Sequence, residues 1–191
     1  MSQECSACKG KKICSFCEGG RQRNHLGSPE CEQCDGTRVC RYCENSHEQK
    51  NKMYEIVVDY SLTLEEMIEA AQCIFYRSYL IPFFKLKGSE KKKLTAKIIQ
   101  FNSKISSSDA KSVIKAMGFR AAKIEELLAF ASAFPKVQEM FDIVALGSTC
   151  NFSGSKQVPF IANDYGRSMD LIWYGIKWVP EHRFLVVKEE V

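Results

Sequence analysis

With 191 residues, 45% of them hydrophobic and 26% charged, the chain has the size and composition of one or two soluble globular domains. A net charge of +4 allows contact with nucleic acid but is too mild to argue for it. No apolar run reaches the roughly 18 residues of a membrane span, and "MSQECSACKGKK" lacks the apolar core of a signal peptide. The expected location is therefore cytoplasmic, where ten cysteines stay reduced unless a metal holds them.

Eight of those cysteines open the chain as four C-x-x-C pairs: Cys5/Cys8, Cys14/Cys17, Cys31/Cys34 and Cys40/Cys43. Two thiolates at that spacing chelate one metal from a tight turn, and two pairs complete the closed tetrahedron of structural zinc. Four pairs imply two Zn2+. First-to-first spacings of 9, 17 and 9 residues are symmetric about the middle, so a hairpin nests the pairs. The inner zinc is then held by Cys14, Cys17, Cys31 and Cys34. The outer zinc is held by Cys5, Cys8, Cys40 and Cys43. Joining neighbouring pairs instead would leave five residues between Cys8 and Cys14, a tight reversal for one tetrahedron. Gly10, Gly19 and Gly36 each stand two places after the second cysteine of a pair, where a metal knuckle turns through positive φ, and Asn45 takes that place in the fourth. A segment this short and polar cannot bury enough surface to fold alone, so metal binding supplies its folding energy.

These C-x-x-C-x-G repeats, over residues 5 to 45, resemble the cysteine-rich zinc domain of DnaJ-type chaperones. The resemblance implies a compact two-zinc module that binds a partner protein or an unfolded chain. The chain has no His-Pro-Asp motif, so the resemblance does not extend to a J domain. A nucleic-acid-binding alternative rests on Lys9, Lys11, Lys12, Arg21, Arg23, Arg38 and Arg41. Seven acidic residues between Glu4 and Glu48 interleave with them and hold the local charge down.

The module is expected over residues 1–46, a polar linker over 47–53 and an α+β domain over 54–191. "YEIVVDY" reads as a strand. Thr63 and Glu66 form a capping box for a helix whose apolar face would carry Met67, Ala70, Ala71, Ile74 and Phe75. Residues 77–93 read as a lysine-rich loop (Lys85, Lys87, Lys91, Lys92 and Lys93), and Leu94–Asn102 as a strand. Ser107 or Ser108 would cap a short helix that Gly118 stops. "KIEELLAFASAF" is a second helix ended by Pro135, with Glu125 and Glu126 suited to its positive end, and "PKVQEMF" a short third. "IVALG", "QVPFIAN", "SMDLIWYG" and "HRFLVVK" read as a small antiparallel sheet of three to five strands that closes the domain. Cys73 and Cys150 read as inert, apolar-site thiols.

"GFRAAKIEELLAF" (118–130) and the closing "RFLVVK" (183–188) resemble the opening and closing segments of C-type-lectin-like and formylglycine-generating-enzyme-like domains. Residues 54–188 also resemble an uncharacterised bacterial family. The lectin-like resemblance implies a variable recognition surface on the closing sheet, here Asn163, Asp164, Tyr165, Arg167, Asp170, Tyr174, Lys177 and Trp178. From the residues alone, Tyr165, Trp173, Tyr174 and Trp178 crowd fourteen positions among Arg167, Asp170 and Lys177, the residue types that anchor interfaces. The two tryptophans suit a core equally well. In strand alternation Leu171 and Trp173 face one side, and Asp170, Ile172 and Tyr174 the other.

No G-x-S-x-G, Walker glycine loop or H-E-x-x-H occurs, so the expectation is a non-enzymatic, zinc-binding protein-interaction protein with no membrane partner. Mass-spectrometric metal analysis of the purified chain should find two zinc ions per chain. One zinc or none refutes the nested pair.

Overall fold

The structure is a computed structural model that describes residues 52–188 apart from Arg77, Lys85, Lys87, Asp164 and Tyr165. The cysteine block, with its proposed zinc ligands, and most of the linker lie outside the described residues. The unit that begins at Met53 is a mixed α/β fold dominated by one sheet.

The first strand, β1 (Met53–Asp59), alternates strictly: Tyr54, Ile56 and Val58 are buried, while Met53, Glu55 and Val57 face out. Helix α1 (Leu64–Ala70) starts on the expected capping box. The Thr63 N–H donates to Glu66 Oε2 at 2.8 Å, and the Glu66 N–H donates back to Thr63 Oγ1 at 3.2 Å. The helix is shorter than its apolar pattern suggests. Gln72 turns left-handed (φ 54°), its N–H reaches the Glu69 carbonyl, and the Cys73 N–H reaches Ile68. That paired closure is a Schellman stop made without glycine. Ala70 and Ile74 are therefore exposed, and Phe75–Tyr76 form an edge strand, β2. Met67 and Ala71 of the expected face are buried, beside Leu64 and Ile68.

A 3-10 turn (Ser78–Phe83) leads to β3 (Lys91–Ile99), so Lys91, Lys92 and Lys93 lie in a strand, not a loop. Their register against β1 explains this: Lys91 sits opposite Asp59 and pairs with it at 3.0 Å, and Lys93 reaches Glu55 at 2.7 Å. The strand ends at Ile99 rather than Asn102. After β4 (Ile105–Ser106), helix α2 (Ser107–Ala116) is capped by Ser106, one residue before the expected serines, and Gly118 (φ +79°) follows its end. Strand β5 (Phe119–Ala121) leads to helix α3 (Ile124–Ala133), and α4 (Pro135–Gln138) starts on its proline.

Strands β6 (Ile143–Val144), β7 (Cys150–Phe152), β8 (Ser155–Ala162), β9 (Ser168–Trp173), β10 (Lys177–Trp178) and β11 (Arg183–Lys188) complete the chain. Apart from β10, which pairs with β4 as a two-stranded ribbon, they do not close as a separate small sheet. Among the described residues one nine-stranded sheet runs β1-β3-β11-β6-β8-β9-β2, with β5 added on β11 and β7 on β8. It is mostly antiparallel, but β11 pairs with β6, and β2 with β9, in parallel. The early ribbon of β1 and β3 joins the rest of the sheet only through β11.

Both faces of the sheet's centre are covered. On one side α1 and α3 pack Met67, Ile68, Leu127 and Phe130 against Ile56, Ala96, Leu185 and Ile161. On the other, Ala110 and Ile114 of α2 join Trp178 over Ile99, Val144, Val158, Phe184 and Val186. This double burial is why "FLVV" in β11 is continuously apolar rather than alternating.

One close backbone approach locks the two halves. The Gly147 N–H donates to the Ala122 carbonyl at 2.8 Å, and a Cβ at Gly147 would lie 2.4 Å from the Ala121 oxygen and 2.5 Å from that of Ala122. Next to it, Ser148 Oγ accepts the Ile124 N–H at 2.9 Å, which satisfies a free donor at the start of α3. Gly147→Ala should therefore destabilise the domain by about 1–3 kcal/mol, read as a fall in urea midpoint at unchanged slope.

Candidate functional site

The end of the sheet formed by β7, β8 and β9 is the part of the domain that carries exposed aromatic and polar groups together. Its register assigns every side chain to a face. Trp173 lies opposite Gln157, which lies opposite Cys150; Leu171 lies opposite Pro159; Phe152 lies opposite Ser155. Directly opposed residues share a face, so these form one surface. The other face carries Asn151 opposite Lys156, Ile172 opposite Val158, and Asp170 opposite Phe160. The expected separation of Leu171 and Trp173 from Asp170 and Ile172 is what the register shows.

Trp173 is 53% exposed. Its position is nonetheless set: a Cβ on Gly175 would lie 2.5 Å from its ring, so the indole rests against bare backbone. Behind it, the Tyr174 N–H donates to the Lys156 carbonyl at 2.9 Å, and Lys156 Nζ sits 4.5 Å above the centre of the Tyr174 ring. Asp170 is partly exposed and its Oδ1 accepts the Leu171 N–H at 2.8 Å. Asn163 and Lys177 are exposed. Asp164 and Tyr165 lie outside the described residues.

Two members of the expected surface belong to the interior instead. Trp178 is fully buried, and its indole N–H donates to Ser107 Oγ at 2.8 Å while that hydroxyl donates to the Tyr174 carbonyl at 2.5 Å. A buried indole needs such an acceptor, and the start of α2 supplies it. Arg167 is also buried. Its Nε donates to Gln138 Oε1 and one terminal nitrogen to the Ala71 carbonyl, both at 2.5 Å, and the other reaches the Pro135 carbonyl at 3.4 Å. The Glu139 carboxylate stands off at 3.8 Å. Arg167 thus ties the start of β9 to α4 and the end of α1. The fork also fixes the Gln138 amide, since its oxygen must face the guanidinium, and leaves its Nε2 buried without an acceptor. The residues expected at the surface thus serve two roles that composition cannot separate. Trp173, not among the residues expected at the surface, is half exposed, and its pairing with Gln157 near the start of β8 places it there.

A second polar cluster lies under α3. Glu126 is fully buried. Arg120 grips both its oxygens, at 2.8 and 2.6 Å; Tyr60 donates to Oε1 at 2.9 Å and the Lys123 N–H to Oε2 at 2.7 Å. Every acceptor position that points at protein is used. The helix-end electrostatics expected of Glu126 are present through the Lys123 N–H, but its main work is to join β5, α3 and the end of β1. Burial works to raise its pKa, and the hydrogen bonds from Arg120, Lys123 and Tyr60 outweigh it, so the carboxyl is held below 4.5. Neighbouring Glu125 is raised by burial, and Tyr60 is raised by burial and by the Glu126 charge. Burial also pushes the Cys73 thiol up to about 11 and raises Cys150, in keeping with unreactive thiols.

No protein-family model, curated protein or solved structure matches this chain. Among the described residues no three His, Cys, Asp or Glu side chains come close enough to hold a metal, and no helix is long and apolar enough to cross a membrane.

Glu126→Gln should cost about 3–5 kcal/mol at pH 7, because Arg120 then lacks its counter-charge. The contribution of a carboxylate with a lowered pKa is complete above 4.5 and is lost as pH falls through the folded value. The stability gap between wild type and variant should therefore narrow below about pH 4.5, as measured by denaturant titrations across pH; a constant gap would refute the assignment.

Proposed function

We propose that the chain is a zinc-binding protein-interaction protein without catalytic activity. In this reading the two-zinc, DnaJ-like module of residues 1–46 engages one partner surface. The closing segment of the second domain, lectin-like in its sequence resemblance, presents the other. The observation that carries the reading is Trp173, more than half exposed yet braced on Gly175. A large aromatic held rigid at a surface loses little side-chain freedom on binding, which is what an interface anchor needs. Asn163, Asp170, Tyr174 and Lys177 supply exposed or partly exposed polar groups along the same closing segment. The buried Arg167 and Trp178 act in this reading as supports that hold the segment, not as contacts.

The test is cross-linked capture with the intact chain, followed by mass spectrometry. A specific protein should be recovered, and both Trp173→Ala and removal of zinc by a chelator should reduce its recovery by about tenfold. Recovery of no specific protein, or recovery indifferent to both changes, sinks the reading. Salt-dependent retention of RNA or DNA in its place would favour the nucleic-acid alternative.

A further inference from the structure

The two faces at the end of the sheet differ in one physical respect. On the face shared by Tyr76, Phe152, Ser155, Gln157, Leu171 and Trp173, no strand position of β2, β7, β8 or β9 carries a charge. The opposite face of the same strands carries Lys156 and Asp170. The neutral face is also where exposed aromatic groups collect. Tyr76, which sits opposite Met169 four residues along β9 from the exposed Trp173, is 42% exposed; Phe83 is 44% exposed, and its ring meets Phe152 edge-on at 5.7 Å. These are three of the eight large hydrophobic side chains exposed among the described residues.

Resting on the protein-recognition reading, we propose that this neutral face docks an extended partner segment whose side chains are aliphatic or aromatic and uncharged. Charge decides the class of occupant. Strand positions without cations offer nothing to phosphate, and a charged peptide laid along them would lose hydration without gaining a counter-charge. The surface is a strand ribbon, and β7 and β9 are two strand spacings apart. With Phe152 opposite Ser155 and Trp173 opposite Gln157, the two are anchored about 12 Å from each other, roughly three to four residues of extended chain. Gln157 and Ser155 lie between them and can bond the backbone of such a segment. Trp173, fixed by Gly175, is the anchor, and Phe83 with Phe152 forms the second contact.

The test pans a phage-displayed random dodecapeptide library against the full-length chain, wild type and Trp173→Ala. Because Trp173 is half in solvent, its loss should leave the thermal melt nearly unchanged, and Phe83→Ser provides an independent variant. Peptides enriched on wild type should be rich in Leu, Ile, Phe, Tyr and Trp with net charge near zero. By calorimetry the consensus peptide should bind about tenfold or more weakly to Trp173→Ala and to Phe83→Ser, and with unchanged affinity to Lys156→Glu on the opposite face. Enrichment of charged peptides, no enrichment, or equal binding to Trp173→Ala overturns the proposal. So does a dimer, seen by sedimentation, that Trp173→Ala dissociates, since a second copy then fills the face. If cellular capture survives Trp173→Ala, the docking face falls while the protein-recognition reading stands on its zinc dependence; if capture is absent altogether, that reading falls as well.

Discussion

The fold depends on the pairing of the last strand with the first half of the domain. Strand β11 is hydrogen-bonded to β3 on one side and to β5 and β6 on the other. Its four consecutive apolar residues are buried on both faces. Until residues 183–188 arrive, β1 and β3 are a two-stranded ribbon, too small to be stable by itself. The helices α1 and α3 likewise have no complete sheet to cover. Contacts of this sequence separation make the domain cooperative: little of it can be stable while its end is missing.

Two buried polar clusters give that assembly its particular geometry. Glu126, satisfied from β5, the start of α3 and Tyr60, fixes how α3 lies over the sheet. Arg167, satisfied mainly by neutral oxygens, fixes the start of β9 against α4 and the end of α1. Removing either side chain would leave its partners buried and unpaired, a cost of several kcal/mol. The Arg167 cluster acts at a distance from Trp173, yet it sets where β9 starts and hence where that ring stands. The proposed recognition surface is thus built on rigid elements, a condition for any site that must be precise.

Local signals were legible where the physics is local. The Thr63 capping box, the glycine after α2, the proline that opens α4 and the strand propensity of β1 each involve neighbours within one turn or one strand, and each is found in the structure. The errors also have local or non-local causes that can be named. The α1 stop uses Gln72 in a conformation that glycine normally takes, so no glycine marked it. Lys91–Lys93 resemble a solvated loop until Asp59 and Glu55 are seen on the facing strand. Arg167 and Trp178 resemble surface anchors because nothing nearby in sequence names their partners, Gln138, Ala71 and Ser107, which come from 29, 96 and 71 residues away.

By itself, then, the sequence determined the mixed α/β character, the positions of most helices and strands, and a cysteine spacing that points to two zinc sites. Those follow from periodicity, capping chemistry and ligand spacing, which act over a few bonds. The tertiary structure alone decided that early and late strands share one sheet, that Arg167 and Trp178 are interior supports, and that Trp173 stands exposed on an uncharged face. Those outcomes depend on strand register. A shift of one residue would exchange the two faces, and nothing within a single strand records which neighbour it will meet.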